Sequence, residues 1–224
     1  TAFPVPGTFC MGDGTNAAGT LTRWVRDTLY APELAAQEQG GENAYAVMAR
    51  EAAEVPAGSG GLMMLPYIYG ERSPLQDPRA AGMIFGLRGG HNRRHIGRAA
   101  LEAIGYSTYQ HLLLFEEMGL PPKRLITAGG GTKNRTWMQI ICDMAGIPIT
   151  IPEPWQCSSY GDAMLAAVGC GALKDFLALR DALPQGTVLQ PNLGNHEFYK
   201  TCYPIFRELY RANRESMYAL QDNL

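Results

Sequence analysis

The fold is decided by Arg124-Leu-Ile-Thr-Ala-Gly-Gly-Gly-Thr-Lys-Asn-Arg-Thr-Trp-Met-Gln-Ile-Ile141, where an apolar run meets three glycines and then an amphipathic segment from Asn134. That order predicts a strand, a bare-backbone turn and a helix. Glycine has no Cβ, so such a turn can take positive φ and admit a ligand close to the backbone. The free amides and positive end of the following helix suit a phosphate or a ribose hydroxyl. Asn134 is placed to cap that helix and to offer its amide to a ligand. Glycine triplets also serve as plain turns, so the run by itself leaves both readings open. Its spacing is neither the G-x-G-x-x-G of dinucleotide folds nor a Walker loop ending in Gly-Lys-Ser/Thr. A phosphate site here belongs to another nucleotide fold.

Upstream of that stretch, a long helix is expected from about Arg93 to Met118, burying Leu101, Ile104, Leu112 and Phe115 and ending at Gly119 and Pro121-Pro122. Downstream, Trp137, Ile140, Ile141 and Met144 keep helical spacing until Gly146-Ile-Pro, and Ile147–Ile151 reads as a strand. A small-residue helix follows from Ser159 to Val168, then a short edge strand at Val188-Leu-Gln-Pro. The terminal helix spans about Glu197 to Leu220, with Pro204 at its true start or at a kink. In the first third, a short strand at Thr8–Met11 leads into a helix over Asn16–Leu29, and Asn43–Glu54 forms another. Gly19 early in its helix costs about 1 kcal/mol against alanine, so close packing or a ligand uses the missing side chain. Arg23 lies one turn on, on the same face. Strands alternating with helices argue for one α/β domain over residues 1–224.

At 224 residues, 46% hydrophobic and 18% charged, the chain has the composition of a globular protein with a sizeable core. A net charge of −2 without a basic run argues against nucleic acid as a partner. No apolar stretch reaches the ~20 residues of a membrane helix. Thr1-Ala-Phe-Pro-Val-Pro has neither an initiator methionine nor a signal-peptide core, as a cut chain would. Five scattered cysteines without a C-x-x-C pair read as reduced thiols of a cytoplasmic protein. His91 and His95 lack acidic or thiol companions at ligand spacing, so a solvated helix start is expected there and no metal. Glu71-Arg72 after a glycine turn contacts a partner domain or substrate, or else hydrogen-bonds its own loop.

Four motifs in one order resemble the FGGY carbohydrate kinases. Gly82-Met-Ile-Phe-Gly-Leu, seven residues, then His95-Ile-Gly-Arg-Ala-Ala-Leu-Glu102 is similar to the family's C-terminal signature. Pro66-Tyr-Ile-Tyr-Gly-Glu-Arg-Ser-Pro74 resembles a run found in the pentulose and hexulose kinases. The Gly129–Gly131 bend with Asn134, Trp137 and Gln139 looks like their adenosine-binding turn and helix, and Tyr160-Gly-Asp-Ala-Met-Leu-Ala-Ala167 like a small-residue helix near the nucleotide. The resemblance implies a ribonuclease H-like fold of the actin and hexokinase type, as the second half of a two-domain ATP-dependent sugar kinase. It implies ATP and Mg2+ as cofactors and a ketose, such as xylulose, as substrate. The general base is then expected outside this chain, so no catalytic or metal residue is named. Gly19 corresponds to a phosphate-touching glycine, and Arg23 to a position where some relatives carry a nucleotide-contacting glutamine. Gly130 and Gly131 correspond to the turn on the ribose and α-phosphate, and Asn134 to a residue near the adenine. Asp162 departs from the usual alanine. A half-enzyme of this kind is expected to expose an apolar face able to drive a homodimer. The alternative is a stand-alone nucleotide-binding or interaction module without catalysis.

Overall fold

α4 (Arg93–Glu117) is the element against which the others are laid. Ala99, Ala100, Leu101, Ala103, Ile104 and Tyr106 are buried in succession, so its middle turns have no wet face. Such a stretch has to be covered on every side, with its buried Arg98 and Glu102 paired to each other. α1 (Gly19–Leu29), α3 (Ala44–Ala53), α5 (Arg135–Ala145) and β1 (Met63–Leu65) cover it. The approach is close, since a Cβ on Gly105 of α4 would stand 2.5 Å from the Met144 sulfur of α5. The start of α4 is fixed by Asn92, which accepts the Arg94 N–H, while His95 reaches back to the Asn92 N–H.

The computed structural model describes residues 1–3, 5–153, 158–178 and 186–223. β1 pairs antiparallel with β2 (Met83–Phe85). A second sheet has the order β3-β4-β5, in which β3 (Leu125–Ile126) runs parallel to β4 (Ile149–Pro152) and β5 (Gly186–Leu189) antiparallel to it. α5 is the crossover that a parallel pair requires. α2 (Ala31–Glu38), α6 (Ser158–Gly169) and the long α7 (Leu193–Asp222) complete these elements, and one hydrophobic cluster runs from Ala17 to Met217. Cys10, Cys142, Cys170 and Cys202 are free thiols, and Cys157 lies outside the described residues. Among the described residues no helix is long and apolar enough to cross a membrane.

Four expectations from the sequence need correction. Pro204 does not start the last helix. The Asn192 carboxamide accepts the Gly194 and Asn195 N–H groups, and that cap sets the start eleven residues earlier, at Leu193. Pro204 is exposed, so water can serve the carbonyl its ring deprives of a partner. α1 begins at Gly19 rather than Asn16, because Asn16 is engaged elsewhere. α2 was not read, although Pro32 and Glu33 in its first turn are start signals. Thr8–Met11 makes only a single bridge, Phe9 with Ala2.

Two ionic knots, one buried and one half-buried, fasten this frame. Glu102, 3% exposed, accepts from the Gly58 N–H, the Ser59 hydroxyl, Arg98 Nε and the Tyr199 hydroxyl, all within 2.9 Å. It thereby joins α4 to the loop before β1 and to α7. Losing one partner of a buried pair strands the other charge. Glu102→Ala is therefore expected to cost about 3–5 kcal/mol in denaturant unfolding, far more than truncating an exposed glutamate such as Glu116.

The second knot is Glu51 on α3, which takes Nε and Nη2 of Arg93 at 3.0 and 2.6 Å and the Tyr30 hydroxyl at 3.0 Å. Arg93 also pairs with Glu33 at 2.7 Å. Burial pushes the Glu51 carboxyl up, but the hydrogen bonds from Arg93 and Tyr30 outweigh it and hold the group below the usual glutamate range. A carboxylate held low in the folded chain stabilises it above the unfolded pKa, and that contribution fades as pH falls through the folded one. Acidification below the ordinary glutamate value of 4.5 should thus lower the melting temperature, with a shallower fall in Glu51→Gln.

Candidate functional site

α1, α3 and the start of α5 meet around an open cavity of about 720 Å3. Gly19, Thr22 and Arg23 line it from α1, and Asn43, Tyr45, Ala46, Met48 and Ala49 from α3 and its cap. Gly130, Gly131, Lys133, Asn134 and Trp137 close the third side. All five residues singled out from the sequence, Gly19, Arg23, Gly130, Gly131 and Asn134, are therefore brought together, although two precede α4 and three follow it.

The positive φ that such a turn can take is found at one of its glycines. Gly129 alone of the three lies in the left-handed region, at φ 89°. Gly130–Lys133 then make one 3-10 turn, tied back by the Thr132 hydroxyl donating to the Gly129 carbonyl at 2.7 Å. Gly130 and Gly131 are needed for space instead. A Cβ on Gly130 would meet no atom within 4 Å, so the room above it belongs to the cavity. A Cβ on Gly131 would stand 2.9 Å from the Trp137 ring. Trp137 is buried against this backbone, and its indole Nε1 has no acceptor among the described residues.

Asn134 ends the turn and starts α5, its Oδ1 accepting the Trp137 N–H at 2.9 Å. That use of Oδ1 leaves the Nδ2 donors for a ligand. The Thr136 hydroxyl donates to the Ala49 carbonyl at 3.2 Å and holds α5 to α3, so the two walls keep their separation. Asn43 caps α3 by accepting the Tyr45 and Ala46 N–H groups, and the Arg26 guanidinium lies 4.7 Å from the Tyr45 ring centre. Gly19 has nothing within 4 Å of where a Cβ would be, so packing is not what calls for glycine there.

Among the described lining residues stand two cations, Arg23 and Lys133, with two aromatic rings and no Asp, Glu, His or Cys. Such walls suit a ligand with a planar ring at one end and negative charge at the other. The described lining residues offer Mg2+ no carboxylate, and the described residues contain no group of three or more His, Cys, Asp or Glu able to hold a metal ion. Glu71 and Arg72 do not line the cavity, and Asp162 is exposed on α6. His91 and His95 are engaged with the Arg88 and Asn92 N–H groups.

Sequence reasoning missed the whole α3 wall, together with Thr22 and Lys133, while Trp137 was named only as part of the turn and helix that resemble the family's. Lys133 sits inside the quoted stretch and could have been included as its flanking cation. The α3 residues carry no local signal beyond the Asn43 cap.

Residues 1–170 match the C-terminal domain of the FGGY family of carbohydrate kinases. The chain belongs to this family. The FGGY domain is 33% identical over 202 residues to the gluconokinase of Bacillus subtilis, and 31% identical over 208 residues to the xylulose kinase of the same organism. These alignments cover 90% and 92% of this chain but 39% and 40% of those proteins, so the chain spans about two fifths of the relatives it matches. Among solved structures, xylulose kinase from Rhodospirillum rubrum superposes with a TM-score of 0.76 at 34% identity, covering 91% of this chain and 40% of that one. Gluconate kinase from Lactobacillus acidophilus gives 0.77 at 25% identity, with 92% and 40% covered. The FGGY domain thus has the actin/hexokinase-type fold.

The geometry of the bend makes opposite demands at its two inner glycines. Gly131→Ala should cost about 1–3 kcal/mol in thermal unfolding because the Trp137 ring has to move. Gly130→Ala should stay within about 0.5 kcal/mol of the parent chain.

Proposed function

We propose that residues 1–224 form the nucleotide-binding C-terminal domain of an ATP-dependent kinase that phosphorylates a ketose such as xylulose or a related pentulose. The observation that carries this is the cavity, with Arg23 and Lys133 on its walls, no acid, and free space over Gly130. In this reading the purine lies between α1 and α3, and the ribose and α-phosphate rest on the backbone at Gly130 and Gly131. Asn134 Nδ2 donates near the base, and Gly19 and Arg23 face the phosphates.

Phosphoryl transfer needs alignment and charge stabilisation more than a protein nucleophile. This chain's residues supply the alignment of the donor nucleotide. Its two cations offset phosphate charge, and the buried Trp137 keeps the bend from folding inward. Mg2+ would accompany the phosphates, with no ligands from this cavity. The proton acceptor for the sugar hydroxyl lies outside residues 1–224 in this reading, as does most of the sugar contact. The motifs at Gly70-Glu71-Arg72 favour a pentulose over glycerol. The 33% identity to a gluconokinase supports gluconate as a second reading. A cytoplasmic location fits the free thiols and the need for ATP. Family membership disfavours a purely structural interaction module.

Calorimetry with ADP tests the assignment. The parent chain should bind, and Gly130→Val, whose side chain enters the cavity, should bind at least about tenfold more weakly at an unchanged melting temperature. Equal heats from both proteins would overturn the nucleotide reading. Residues 1–224 alone should phosphorylate no sugar, and sugar-dependent ADP release by the purified chain would contradict that division of labour.

A further inference from the structure

Glu71 stands in an irregular loop, yet it is only 2% exposed. Its Oε2 accepts the Thr15 hydroxyl at 2.6 Å, and its Oε1 accepts the Asn16 N–H at 3.0 Å and the Arg72 N–H at 2.7 Å. The same loop takes the Asn16 side-chain amide on the Tyr69 carbonyl at 3.3 Å. Thr15 in turn accepts the Ala17 N–H at 3.4 Å. Apart from its own neighbour, then, both oxygens of this carboxylate are spent on the residues that lead into α1.

α1 itself begins without help from its own sequence. Ala18 occupies the cap position, and no side chain caps the helix. A helix start normally relies on a Ser, Thr, Asp or Asn at that position to fix the first turn. Here the fixing group comes from a distant loop, just before the helix. What it fixes matters, because Gly19 is the first residue of α1, and Gly19, Thr22 and Arg23 form one wall of the cavity.

The loop is held from behind as well. Glu71 and Asp77 exchange backbone N–H and carbonyl groups, both at 2.8 Å, and Asp77 accepts the Tyr210 hydroxyl of α7 at 2.6 Å. A continuous line of hydrogen bonds therefore runs from α7 through Asp77 and Glu71 to the entry of α1.

We propose that Glu71 is a positioning residue for the cavity: its carboxylate holds Thr15 and Asn16 at the entry of the uncapped α1, sets where Gly19, Thr22 and Arg23 stand, and ties ligand binding to the conformation of the Gly70–Asp77 loop. For the identity of the ligand this rests on the nucleotide reading above; the tie to α1 does not. Glu71 touches no cavity residue that would meet substrate, so it acts through α1 and not on the reacting atoms.

Glu71→Gln keeps the size of the side chain but turns an NH2 toward at least one of its three donors. Amide hydrogen exchange on residues 1–224 compares the segment 16–22 with 99–104 in α4 as internal reference. Exchange over 16–22 should rise about tenfold, the loss expected for one hydrogen bond to a charged group, with 99–104 unchanged. ADP affinity should fall by about the same factor. Thr15→Val should reproduce part of both effects, and the double variant should fall short of their product. Unchanged exchange over 16–22, or an equal rise in both segments, would overturn the positioning role. Faster exchange with unchanged ADP affinity would overturn its tie to binding. If the parent chain takes up no ADP, the nucleotide reading fails, and the exchange comparison still decides the role of Glu71 at α1.

Discussion

The hydrogen bond from the Trp137 N–H to the Asn134 carboxamide decides where α5 begins, and much of the site follows from that point. Starting the helix one residue past Asn134 sends the Trp137 ring back under Gly131, where only a glycine leaves room for it. The ring then supports the bend from below, and the space above Gly130 stays open. A capping residue, a large ring and a glycine thus act as one unit. Each is common in proteins. Their spacing here turns a strand-to-helix connection into the floor of a cavity.

The other two walls depend on α4. Because its middle turns are buried on all sides, α1, α3 and α5 must pack on it together, and packing there brings their ends to one place. The ionic knots at Glu102 and Glu51 hold the loops and helix ends that the apolar contacts alone would leave free to slide. The cavity is therefore a by-product of covering one helix, sharpened by the Thr136–Ala49 bond between two of the covering elements. Charge gives the walls a sign: the described lining residues include Arg23 and Lys133 and no Asp or Glu.

Much of this was legible in the residues. Periodicity placed α3, α4, α5 and α6 to within a residue or two, and the glycine triplet with Asn134 marked the bend and its cap. The motifs recognised at Gly82–Glu102 and Pro66–Pro74 gave the family, which residues 1–170 bear out. The failures have physical causes. The start of α7 was misplaced because Pro204 was weighed as a breaker, while the Asn192 cap upstream went unused. The residues just before α1, Thr15 and Asn16, are bonded to Glu71, a partner in a loop far along the chain. Such a long-range bond has no local signature. The same holds for the α3 wall, whose Tyr45, Met48 and Ala49 face the bend only because both helices pack on α4. The packing of Trp137 against Gly131 is a second constraint on that glycine, and the sequence does not announce it.

A crystal structure of the chain grown with ADP would test the central claim most directly. The account predicts purine density between α1 and α3, with the diphosphate passing over Gly130 toward Arg23 and the Trp137 ring still seated beneath Gly131. Nucleotide density elsewhere, such as the groove between Phe85 and Phe198, with the cavity at Gly130 filled only by solvent, would contradict it.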